Sequence, residues 1–181
     1  MAEGRPFILI LVGIPGSGKS QFASELESKS RKKFVRINQD VLGDRRACED
    51  LARRVLATGK IAVIDRCNFD RDQRVTWTKI AYEMRVQCDC IVFTHSREDC
   101  IRRCQKRIGH ESIRPHEAVN VVTRMANNFR PPIPLRDVSS SRSRGYVQCS
   151  GGERFRRLEF ISTFEQADAL ADWYLRGYSR Y

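Results

Sequence analysis

The fold is decided by the run Phe7-Ile8-Leu9-Ile10-Leu11-Val12-Gly13-Ile14-Pro15-Gly16-Ser17-Gly18-Lys19-Ser20. Its first six residues are apolar and β-prone, the pattern of a strand buried on both faces. The next eight fit G-x-x-x-x-G-K-[ST], the Walker A phosphate-binding loop. Good helix formers continue from Gln21 to Lys29, with Phe22 and Leu26 on one side. A strand, a glycine turn and a helix start make an anion cradle. Glycines let backbone N–H groups approach phosphate oxygens, and the helix start adds partial positive charge. The expected ATP-binding residues are therefore Gly13, Ile14, Pro15, Gly16, Ser17, Gly18, Lys19, Ser20 and Gln21. Lys19 is expected to reach the β- and γ-phosphates, and Ser20 to give its hydroxyl to Mg²⁺.

Beyond this stretch, strands and helices alternate. Phe34–Asn38 reads as a second strand and Arg46–Ala57 as a helix stopped by Gly59. Ile61–Asp65 is a third strand, Asp70–Met84 a helix, and Val86–Thr94 a fourth strand. Ser96 caps a helix from Arg97 to about Arg107, and Pro115 opens another that runs to about Phe129. Arg157–Ile161 reads as a fifth strand and Phe164–Arg176 as a closing helix. This order predicts one α/β domain over 1–181, a five-stranded parallel sheet flanked by helices. Residues 97–129 are expected to form a helical lid. The Pro-, Ser- and Arg-rich residues 130–155 are expected to be a flexible basic loop.

Charge is lopsided, with 33 Lys+Arg against 22 Asp+Glu and a formal net charge of +11. That excess points to a polyanionic partner, nucleic acid first, with solubility alone as the plainer reading. Arg outnumbers Lys, and Arg is the better bidentate phosphate binder. No apolar stretch approaches the length of a membrane span. Met1–Pro6 leads straight into the first strand, with no secretory signal, so the seven cysteines are expected to be reduced thiols. An intracellular site, nuclear or cytoplasmic, is the matching expectation. Cys88, Cys90, Cys100 and Cys104 fit no usual zinc spacing and read as buried thiols.

In a parallel α/β sheet, ligands sit at the carboxyl ends of the strands. Gly13, Asp40 and Asp65 all fall there. Asp40 is placed to take a proton from a substrate alcohol, or else to cap a helix or pair with Arg45 or Arg46. Asp65 ends an apolar strand, the position that orders the Mg²⁺ water shell or the acceptor, or simply braces the loop. Arg103 and Arg107 lie four apart and share a helix face, as a lid closing over ATP requires; a basic stripe is also an ordinary solvated face. Arg31, Lys32, Lys33, Arg45, Arg46, Arg53 and Arg54 surround Asp40 in sequence and form a candidate path for an acceptor strand.

Together these residues resemble the 5′-hydroxyl polynucleotide kinase family, known from phage and from the animal DNA-repair enzyme. The resemblance runs from Phe7 to about Phe129 and identifies the fold as that of a P-loop NTPase with an Arg-bearing lid. The family's strand-two signature, Asn-Arg-Asp, stands here as Asn38-Gln39-Asp40, continued by Val41-Leu42-Gly43 as in the animal enzyme. The strand-three signature, Asp-x-Thr-Asn, stands as Asp65-Arg66-Cys67-Asn68. The paired lid arginines are Arg103 and Arg107. The resemblance implies Asp40 as general base, Lys19 and Arg107 on the transferred phosphate, and Arg103 near the nucleotide. It implies Asp40, Arg46, Asp65, Arg66 and Asn68 on the acceptor side, and Ser20 with Asp65, through water, on Mg²⁺. The implied reaction is phosphorylation of the 5′-OH end of DNA or RNA, in repair or processing. Gln39 for Arg and Cys67 for Thr depart from the family pattern, both on the acceptor side. The run Asp65–Asp70 also looks like kinase modules fused to aprataxin-type hydrolases in plants and fungi; the His-x-His-x-His of that hydrolase is not in this sequence.

Two other readings use the same scaffold. A small-molecule kinase, acting on a sugar or nucleoside or as zeta-type toxins do, would ignore oligonucleotides and show little salt dependence. A nucleotide-switched binding module would tolerate loss of Asp40.

Overall fold

The computed structural model describes residues 5–106, 113–135 and 146–178. Five strands form its main sheet: β1 (Phe7–Val12), β2 (Phe34–Asn38), β3 (Ile61–Asp65), β4 (Gln87–Phe93) and β7 (Arg157–Ile161). All are parallel, in the order β2-β3-β1-β4-β7. All six residues of β1 are fully buried because both faces of this central strand are covered. Ile8, Ile10 and Val12 face α3 (Arg45–Ala57) and α4 (Arg71–Glu83). Phe7, Leu9 and Leu11 face α1 (Lys19–Lys29) and α7 (Phe164–Tyr178). Each aliphatic side chain so enclosed contributes about 1.5–3 kcal/mol. The continuous apolar run thus serves two cores at once, and the alternation of its side chains divides them.

Side-chain caps set where the helices begin. Asp44 accepts from the Ala47 N–H at 2.9 Å to start α3, and Asp70 accepts from the Gln73 N–H at 2.8 Å to start α4. A four-residue helix, α2 (Gln39–Leu42), continues directly from β2 and is capped by Asn38, which accepts from the Asp40 N–H at 2.7 Å. Asn38 therefore ends the strand, and Asp40 lies in the first turn of a helix rather than at the strand's last residue.

Above the sheet, α5 (Arg97–Lys106) and α6 (Ala118–Asn127) pair through Cys100, Cys104, Ala118 and Val122. Ile14 and Ile113 join that cluster, so this helical pair is docked on the glycine loop. Pro115–Glu117 is a 3₁₀ turn and not part of α6. Arg107 lies outside the described residues.

Part of the stretch 130–155 departs from the expected loop; its residues 136–145 lie outside the described residues. Residues 146–155 hold an antiparallel ribbon, β5 (Val147–Gln148) and β6 (Arg154–Phe155). Val147, Cys149 and Phe155 are buried in the core beneath α4. A buried ion pair fixes this ribbon to α4: Arg74 donates to both Glu153 oxygens at 2.8 Å. The same guanidinium donates to the carbonyls of Asn68 and Arg130.

Candidate active site

At the carboxyl ends of β1, β2 and β3 a pocket of about 290 Å³ opens. The glycine loop supplies Pro15, Gly16, Gly18, Lys19 and Ser20; the end of β2 and the start of α2 supply Asn38, Gln39 and Asp40. The end of β3 and the turn after it supply Asp65, Arg66, Cys67 and Phe69. Ile113 and Met125 close the rim from the lid side. The expected phosphate cradle and the expected base thus share one cavity.

The loop geometry explains its glycines. Gly16 has φ +83°, and a Cβ there would stand 2.4 Å from the Cys100 carbonyl oxygen. Only glycine adopts that backbone at so close an approach of α5. Lys19 is folded back over the loop, its ammonium donating to the Ile14 carbonyl at 2.9 Å and to Ser17 Oγ at 3.3 Å. These are the bonds a bound phosphate would replace.

Ser20 donates to Asp65 Oδ1 at 3.1 Å. Asp65 Oδ2 accepts from Arg36 Nε at 2.7 Å and from Asn38 Nδ2 at 2.9 Å. The parallel register sets Asn38 beside Asp65 across β2 and β3, which puts these side chains on one face. A buried carboxylate is thereby satisfied on both oxygens, with Oδ1 turned to the Walker serine. Hard oxygen donors of this kind, one hydroxyl and one carboxylate, suit Mg²⁺, which keeps several waters and takes the rest of its shell from substrate phosphates. The residues fit the ion.

Asp40 is exposed, and its carboxylate makes no ion pair among the described residues. The cap belongs to Asn38 and Arg45 pairs with Glu49, so neither structural alternative for Asp40 is filled. Arg66 lines the pocket nearby; burial is the main cause that pulls its guanidinium below its usual value, with Asp40 opposing.

Several expected residues fall elsewhere. Asn68 is fully buried: its Nδ2 donates to the Leu11 carbonyl at 2.8 Å and its Oδ1 accepts from Trp77 Nε1 at 3.1 Å. It holds β1, β3 and α4 together and presents nothing to an acceptor. Its φ of +44° turns the chain there. Arg46 and Gln21 are exposed and line no part of the pocket. Of the basic residues expected to form an acceptor path none lines it either, and Arg53 is paired with Glu83. Gly13, Ile14 and Ser17 are outside the pocket lining; the Gly13 N–H donates to the Cys67 carbonyl, and Ile14 and Ser17 accept from Lys19.

Arg103 donates to the Gly16 carbonyl at 3.3 Å and lies 4.3 Å over the Phe164 ring. Another neighbour of that ring is His95, 5.2 Å away and buried, with no hydrogen-bond partner for either ring nitrogen among the described residues. Burial first, then Arg103, holds the His95 imidazole below its usual pKa, against a smaller opposing effect of Asp99. Sequence reading missed Arg36, Arg74, His95 and Glu153. The only signal for Arg36 was its two-residue spacing from Asn38, which places both on one face of a strand.

The fold is that of a P-loop NTPase, with the glycine loop, Ser20, Asp65 and Asp40 gathered at the carboxyl ends of its strands. A family model described as "AAA domain" matches residues 45–132, from α3 through the lid. In sequence the chain resembles polynucleotide kinases. It is 36% identical over 92 residues to the bifunctional polynucleotide phosphatase/kinase of Schizosaccharomyces pombe, covering 50% of this chain and 22% of that protein. It is 32% identical over 136 residues to the Arabidopsis thaliana protein named transcription factor bHLH140, covering 72% of this chain and 15% of that one. The chain thus spans only about a fifth of the length of such relatives. Among solved structures, a fungal RNA kinase superposes with TM-score 0.69 at 14% identity, over 96% of this chain and 44% of that one. A gluconokinase from Sinorhizobium meliloti superposes with TM-score 0.58 at 16% identity, over 98% and 94%. At those identities the structures speak to the fold alone.

Proposed function

We propose that this chain transfers the γ-phosphate of ATP to the 5′-hydroxyl end of a DNA or RNA strand. One observation carries the reading: the carboxylate of Asp40, in no ion pair among the described residues, lines the same pocket as Lys19, Ser20 and the glycine loop. The sequence resemblance to polynucleotide kinases and the net charge of +11 support the choice of acceptor.

In the proposed step Asp40 takes the proton of the acceptor hydroxyl as its oxygen bonds to the γ-phosphorus. The bond from that phosphorus to the β–γ bridging oxygen breaks, and ADP leaves with the electron pair. Lys19 exchanges its bonds to Ile14 and Ser17 for phosphate oxygens. Arg107 is assigned to the transferred phosphate, and Arg103 to the nucleotide, across the Phe164 ring. Ser20, and Asp65 through water, would hold Mg²⁺, which neutralises charge developing on the phosphates when bound. Arg66 faces the acceptor.

A second reading, a small-molecule acceptor, is favoured by the modest size of the pocket and its apolar rim of Phe69, Ile113 and Met125. The deciding experiment offers γ-labelled ATP with 5′-OH DNA, 5′-OH RNA, nucleosides and sugars at two salt concentrations. Label on an oligonucleotide end, falling as salt rises, supports the first reading. Label on a sugar or free nucleoside alone overturns it.

A further inference from the structure

A second groove, of about 440 Å³, runs along α4 on the side that meets the β5–β6 ribbon. One wall is a helical stripe, Arg71, Val75, Thr78 and Tyr82, at spacings of four, three and four that bring all of them to one face. The facing wall carries Tyr146 and Arg154. Tyr82 is 86% exposed and Tyr146 43% exposed, and the Arg154 guanidinium lies 5.3 Å from the centre of the Tyr146 ring.

The groove and the active-site pocket each take a lining residue from the first turn of α4. Phe69 and Gln73 line the pocket, while Arg71 between them turns toward the ribbon. Its side chain lies 2.9 Å from where a Cβ on Gly151 would stand, so the positive-φ glycine makes room for it. From Arg71 to Tyr82 the helix rises about 16 Å, room for a few nucleotides. Glu153 is the acidic residue in the groove's lining, and Arg74 occupies both of its oxygens. What remains for a ligand is two guanidinium groups and two open aromatic rings.

We propose that this groove holds the acceptor strand downstream of its 5′ end, with bases stacked on Tyr82 and Tyr146 and phosphates on Arg71 and Arg154. The proposal rests on the polynucleotide reading above and places the acceptor path along α4, not along the basic residues around α3. Aromatic stacking with arginine contacts binds single strands without sequence preference. A chain of net charge +11 favours that polyanion over a protein segment.

The test compares a 5′-OH dinucleotide with a 5′-OH dodecamer as acceptor, in the parent chain, a Tyr82→Ala/Tyr146→Ala variant and Arg154→Gln. These side chains are exposed, so the fold is kept. Stacking of each base is worth enough to raise the dodecamer KM roughly tenfold or more in the alanine variant. The dinucleotide KM and both kcat values stay unchanged, and Tyr82→Phe/Tyr146→Phe restores the parent KM. Equal KM values for both lengths in the parent, or an unmoved dodecamer KM in the variants, overturn the groove and leave it to a protein partner. Failure of the parent to phosphorylate either length overturns the polynucleotide reading itself.

Discussion

Ser20 and Asp65, forty-five positions apart, meet at 3.1 Å through the serine hydroxyl and carboxylate Oδ1. This bond joins the end of β3 to the first turn of α1 at the point where the proposed function puts Mg²⁺. Replacing Asp65 with Asn removes the charge and leaves Arg36 without its partner. The Mg²⁺ concentration for half-maximal phosphoryl transfer is expected to rise at least tenfold, with the fold retained by circular dichroism. An unchanged Mg²⁺ requirement would show that Asp65 only braces the loop.

Arg74 and Glu153 form a bidentate pair that is almost wholly buried. Removing one partner strands a charge in the core, a loss of about 3–5 kcal/mol. Arg74→Ala and Glu153→Ala are each expected to lower the melting temperature by about 10 °C. The double variant Arg74→Met/Glu153→Leu recovers only part of this, because the Asn68 and Arg130 carbonyls lose their donor. Calorimetry of the three variants checks the order.

The thiols differ sharply in access. Cys88, Cys90, Cys100, Cys104 and Cys149 are buried, and burial pushes Cys100 and Cys149 up to about 11. Cys67 is half-buried and lines the pocket. Iodoacetamide at pH 8 is expected to label Cys67 first, and MgATP to slow that labelling. Mass mapping that finds another cysteine modified first contradicts the placement of this segment.

Burial of His95 sets the sign of a pH response. Its pKa in the fold lies below the unfolded value, so the unfolded chain binds the proton more readily. Stability from this residue is therefore complete above the unfolded pKa near 6.5 and is lost as pH falls through that value toward the folded one. The melting temperature is expected to fall between pH 7 and pH 5.5, and His95→Gln to flatten that slope. A slope identical in parent and variant removes His95 from the account.

Much of this was legible along the chain because it is local. The Walker run and the apolar strands each announce themselves within a few residues. Asp65 at the end of β3 and Asp40 just past β2 obey the rule that parallel strands present their carboxyl ends to ligands. The errors are non-local. Asn68 reads as an exposed acceptor contact until Trp77 and the Leu11 carbonyl close over it. Arg74 and Glu153 are seventy-nine positions apart and nothing in either neighbourhood points to the other. The two-residue strands β5 and β6 are too short for an alternating pattern, so composition alone marks them as loop. Phe155 is buried under α4, while Tyr146 remains open.

The central claim is that Asp40 takes the proton from the acceptor. The most direct measurement is single-turnover transfer from γ-labelled ATP to a 5′-OH oligonucleotide by Asp40→Asn, alongside its ATP affinity. Loss of a general base lowers the rate by about 10²–10⁴-fold, and ATP affinity is expected to stay within about twofold of the parent. An Asp40→Asn chain that transfers phosphate at close to the parent rate would contradict the account.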